Sequence, residues 1–157
     1  FPAGLGGSDW SRDWNEARRC ALAPGPDVPR WIAVAYADWR DACAPAPAEV
    51  IAAAIAENCA GVLFDTFQKD GRTLFEHLGN DELALCIAAT RDAGLLVALA
   101  GGLLLRDLPR AAAFAPEVIA VRTAACRDER RSAPVASAAV RELRRALDRI
   151  PADASGG

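Results

Sequence analysis

No methionine occurs among the 157 residues of this chain, so Phe1 is expected to be the start of a fragment or a processed piece, with more chain ahead of it. Lysine is almost as scarce. Of the 18 basic residues 17 are arginine, and Lys69 stands alone. Histidine occurs once, as His77, and nothing beside it resembles a triad or a metal-ligand set; it is read as structural, and no metal site is expected. The five cysteines, Cys20, Cys43, Cys59, Cys86 and Cys126, show neither CxxC spacing nor a paired framework, which makes the cytoplasm the simplest compartment. Long apolar runs are missing too. The longest, from Gly94 to Leu105, is broken by Gly101 and Gly102 and falls short of the ~20 residues that a membrane helix needs, so no membrane partner is expected. No basic stretch leading into an apolar one opens the chain. A net charge of -3 gives no overall basic excess, which argues against nucleic acid as a partner.

What is present suits a packed domain. With 52% hydrophobic and 25% charged residues the chain can bury a sizeable core, and its length fits one domain. Four short apolar, β-branched or aromatic runs read as strands, at 31–36, 61–65, 94–100 and 117–122. Helical spacing covers 11–22, 47–58, 73–78, 81–92, 103–114 and 134–150. The sequence therefore predicts four consecutive βα units in residues 1–150 and a disordered tail at 151–157. Strands this uniformly apolar are expected to be covered on both faces. A parallel α/β architecture follows, either a doubly wound sheet or part of a (β/α)8 TIM barrel.

In such folds chemistry gathers at the carboxyl ends of the strands. Those ends hold Tyr36 and Asp38, Asp65 and Lys69, Gly101 and Gly102, and Arg122 and Thr123. Asp65 beside Lys69 is the sharpest pair, since a carboxylate next to an amine can steer protons during imine and carbon-carbon chemistry. Asp38 is a second candidate acid. The glycine pair lets backbone amides approach an anion closely, and Arg122 on the next strand would add charge. Arg127, Arg130 and Arg131 extend that cationic cluster and equally fit a solvated surface run.

AYAD at 35–38, LFDTFQKDGRTLFEHL at 63–78, GLLVALAGGL at 94–103 and IAVRTAAC at 119–126 together resemble the (5-formylfuran-3-yl)methyl phosphate synthase family. The resemblance runs from about Trp31 to Ile150, and its most specific element is DTFQKDGRTLF. It implies a TIM barrel of which this chain carries the carboxyl-terminal four βα units. It also implies a lyase that condenses two glyceraldehyde 3-phosphate molecules through a lysine Schiff base into the furan phosphate of methanofuran-type cofactors, with no cofactor of its own. Lys69, Asp65 and Asp38 would then be catalytic, and Tyr36, Gly101, Gly102, Arg122 and Thr123 would hold substrate and phosphate.

The chain also departs from the family pattern. The family's strand-two lysine, in a DVKNP-like segment followed by a GSLG-type loop, has no counterpart here, and a second lysine on strand four falls either just before Phe1 or at Pro2. Thr123 stands where the family usually has glycine. An open half-barrel exposes edge strands, so a homo-oligomer is expected. Two other readings compete: a class I aldolase-like barrel acting on another sugar phosphate, with Lys69 as imine former, and a non-catalytic remnant.

Overall fold

The computed structural model describes residues 10–21 and 30–150. The expected tail at 151–157, Pro2 and the last residue of the first helical stretch, Leu22, lie outside the described residues. In chain order the elements are α1 (Trp10–Ala21), β1 (Ile32–Tyr36), α2 (Pro47–Ala56), β2 (Gly61–Asp65), α3 (Leu74–His77), α4 (Asn80–Asp92), β3 (Leu96–Leu99), α5 (Leu108–Ala113), β4 (Val118–Ile119) and α6 (Ser137–Asp148). Short 3-10 turns at Leu105–Asp107, Thr123–Ala125 and Arg127–Glu129 link the later ones. Among the described residues no helix is long and apolar enough to cross a membrane.

All four strands pair in parallel, in the order β1-β2-β3-β4, so every crossover moves to the next position on the same side. A doubly wound sheet reverses direction at a switch point; this run of four does not. Local chemistry sets the helix ends. Pro47 opens α2 where its missing amide costs nothing, and the Glu49 carboxylate reaches back to the Ala46 amide at 2.8 Å. Gly94, with φ +72°, closes α4 and turns the chain into β3.

Several expected elements are shorter than the sequence suggests: β3 covers Leu96–Leu99 instead of 94–100, and α5 covers Leu108–Ala113 instead of 103–114. β4 covers only Val118–Ile119 instead of 117–122, although its ladder to β3 extends from the Glu117 amide to the Ala120 amide. Beyond Leu99 the chain swings away through Gly101 and Gly102, at φ +92° and +65°, so residues 121–122 find no neighbouring strand and turn into a 3-10 segment. The last helix is Ser137–Asp148 rather than 134–150. Val135 is instead bridged antiparallel to Cys126.

The core lies on one side of the sheet. Ala33, Ala35, Val62, Phe64, Val97 and Leu99 point from the strands into Val50, Ile51, Leu83 and Ile87 of the helices, and all are nearly inaccessible. Burial of this kind is the main stabilising term of the fold. The opposite face corrects the expectation of cover on both sides. Ile32, Leu96 and Val118 are 42%, 47% and 51% exposed on it, and among the described residues no helix packs there. Register places Tyr36 and Asp65 side by side at the carboxyl end of that open face.

Candidate active site

Asp65 is the last residue of β2, and the loop TFQKDGR that follows turns Lys69 back over it. Lys69 Nζ donates to Asp65 Oδ1 at 3.2 Å, to Thr66 Oγ1 at 3.3 Å and to the Thr66 carbonyl. Three acceptors match the three donors of an ammonium group. Both side chains of the pair keep about a third of their surface exposed, at 31% and 27%.

Asp38, the second candidate acid, supports the loop after β2. It is buried, and its two carboxylate oxygens each accept a backbone amide at 2.7 Å, from Phe67 and from Gln68. It therefore fastens the loop that carries Lys69 to the end of β1. Tyr36 sits beside it, edge-on to Phe67 with ring centres 5.6 Å apart. Burial pushes the Tyr36 phenol above its usual range, and the Asp65 and Asp38 carboxylates push it the same way.

The glycine pair is required by close approach. A Cβ on Gly101 would lie 3.1 Å from the Thr66 amide nitrogen, and one on Gly102 would lie 2.9 Å from the Arg72 carbonyl oxygen. The Gly101 carbonyl accepts the Leu74 amide at 2.7 Å, locking the β2 loop against the end of β3. Glycine thus brings the lysine loop and the β3 end into contact and leaves the site between them open.

That site is a groove made of two adjoining cavities. One, of about 270 Å³, is lined by Asp65, Lys69, Gly101, Gly102, Arg122 and Thr123 among others. Six of the eight residues singled out in the sequence therefore meet there, while Tyr36 and Asp38 stand outside its lining. The second, of about 200 Å³, adds Thr66, Arg72, Leu104 and Glu129 and shares Lys69, Gly102, Thr123 and Arg131 with the first. Four cationic side chains and two carboxylates line the whole groove, against a net negative chain. Sequence reasoning missed Thr66 and Arg72, both in the DTFQKDGR segment next to residues it did single out.

Arg127 and Arg130 of the expected cationic cluster do not line the groove, nor do His77 and Cys126. The His77 side chain is 4% exposed with Nε2 4.0 Å from Asp70, behind the site, and Cys126 is buried in the core under the 3-10 turns.

Comparison with known proteins gives the family of the chain. The family model of 4-HFC-P synthase matches residues 5–144. The chain belongs to that family. The 4-HFC-P synthase match is accompanied by curated relatives named (5-formylfuran-3-yl)methyl phosphate synthase. Those from Methanopyrus kandleri and Methanothermobacter thermautotrophicus are each 34% identical, over 75% and 74% of this chain and 50% of their own length. One from Archaeoglobus fulgidus is 30% identical over 77% of this chain and 47% of its own length. This chain thus spans about half the length of the 4-HFC-P synthase relatives it matches.

Proposed function

We propose that this chain is the carboxyl-terminal half of a (5-formylfuran-3-yl)methyl phosphate synthase, a cytoplasmic lyase that condenses two glyceraldehyde 3-phosphate molecules. The observation that carries the reading is the Lys69–Asp65 pair held in a cation-rich groove at the strand ends of a 4-HFC-P synthase chain. Strand order that follows chain order, an open apolar sheet face and coverage of half the relatives' length support a (β/α)8 barrel of which these are four units, the open face being its interior. Such a half is incomplete alone, and its exposed edges favour pairing with another copy.

In the overall reaction two triose phosphates lose one phosphate and two waters to give the furan phosphate, with no change in oxidation level overall and so no redox cofactor. Dehydration and ring closure need an acid and a base close together. Lys69, with its three donors engaged, is suited to holding negative charge or passing a proton, and Asp65 to receiving one. The Schiff base then belongs to a lysine on the other half of the barrel. Asp38 serves as a positioning residue for the Lys69 loop, Arg122 favours phosphate, and Tyr36 borders the open end.

The test is product analysis by mass spectrometry of the full-length gene product and of this 157-residue piece with glyceraldehyde 3-phosphate. Furan phosphate from the full-length protein only, abolished by Lys69→Ala, is the expected result. A borohydride-trapped triose on Lys69 with no furan formed would replace this reading with that of another class I aldolase. Neither product nor adduct would leave a non-catalytic barrel half.

A further inference from the structure

Of the arginine run that fitted the site and a solvated surface equally, Arg131, in the loop between β4 and α6, lines both cavities of the groove. The loop is built to put it there. Cys126 and Val135 pair across its base, the Arg127 amide donates to the Pro134 carbonyl at 3.1 Å, and the Ala136 amide donates to the Ala125 carbonyl at 2.9 Å. At the tip Asp128 and Glu129 both take positive φ, 55° and 49°, which folds the chain sharply back. The Glu129 carboxylate then accepts the Leu105 amide at 3.0 Å and ties the tip to the β3–α5 connection.

Of the neighbouring cations, Arg122 is exposed and makes no ion pair among the described residues, and the others are engaged. Arg130 pairs with Asp128 at 3.3 Å, Arg72 pairs with Asp70 at 2.7 Å, and Lys69 pairs with Asp65. Arg131 is half-buried, and among the described residues no carboxylate lies within ion-pair distance of it. A guanidinium partly withdrawn from water without a counter-charge, facing a groove floored by Gly102, is suited to a planar bidentate grip on a phosphate.

We propose that Arg131 is a substrate-binding residue that takes the phosphate group of a phosphorylated triose lying against Lys69, and so sets the preference for phosphorylated over free aldehydes. This rests on the synthase reading above and names the group that anchors its substrate. The experiment uses the full-length enzyme with Arg131→Gln and Arg131→Lys. Steady-state kinetics with glyceraldehyde 3-phosphate should show KM raised about tenfold or more in Arg131→Gln, as expected for loss of a charge-assisted hydrogen bond, with kcat changed much less. Inhibition by inorganic phosphate should weaken by a similar factor, and Arg131→Lys should recover part of both. Unchanged KM and unchanged phosphate inhibition would overturn the proposal. Should the full-length protein make no furan, calorimetric binding of inorganic phosphate separates the two ideas. Phosphate binding lost in Arg131→Gln would sustain the anchor while the synthase reading fell, and binding equal to the parent would remove the anchor.

Discussion

A buried carboxylate whose two oxygens both accept backbone amides leaves a substitution little room. Asp38→Asn keeps the size but turns an amide donor toward one of the Phe67 and Gln68 amides, and Asp38→Ala leaves both unpaired. Each hydrogen bond to a charged group contributes ~1.5–3 kcal/mol, so Asp38→Ala, which removes two, should destabilise the full-length protein by about 3–6 kcal/mol in urea titration. Loosening of the Lys69 loop should lower kcat in both variants, while Asp38→Glu should not restore it, because the longer stem misplaces the acceptors. Gly101→Ala is the second residue-scale prediction. Its φ of +92° and the 3.1 Å approach to Thr66 act in the same direction, and a loss of about 1–3 kcal/mol is expected by thermal or urea unfolding.

Element by element, the apolar strand runs were legible to within a residue for β1 and β2, because each is bounded by chemistry that stops a strand: Asp38 and a turn after one, Gly61 at the start and Asp65 at the end of the other. β4 was not, since its length depends on where β3 stops giving it partners, and that is set by the glycine pair twenty residues earlier. Lys69 and Asp65 were legible through their four-residue spacing across a turn. Arg131 was legible only as one arginine of a run that fitted the site or a solvated surface equally, because its place depends on positive φ at both Asp128 and Glu129, and Glu129 carries no left-handed signal in sequence. The start of α3 offers a test at this scale. The Glu76 carboxylate accepts the Thr73 amide at 2.7 Å, and that hydrogen bond holds its pKa below the usual glutamate range. A group depressed on folding contributes stability above its unfolded pKa, ~4.3, and loses it as pH falls through the folded value. Acid unfolding followed by circular dichroism should therefore show a shallower loss below about pH 4 in Glu76→Gln than in the parent.

For the whole molecule the open sheet face makes a prediction with a sign change. In the isolated 157-residue piece Leu96 and Val118 meet water, and replacing either by Asp should reduce self-association, read by light scattering across a dilution series. In the full-length protein, if that face is the barrel interior, the same substitutions should lower the unfolding midpoint, because they place a charge in a packed core. Equal effects in the two contexts would argue that the face stays wet in both. Strand order carries one more consequence, for biosynthesis. Each strand pairs with the strand made just before it, so the sheet can grow from one edge as the chain leaves the ribosome, without waiting for distant sequence. Of these four strands β4, with its two residues, is then the last and shortest rung laid down, and the loop bearing Arg122, Thr123 and Arg131 is set in place after the other described walls of the groove.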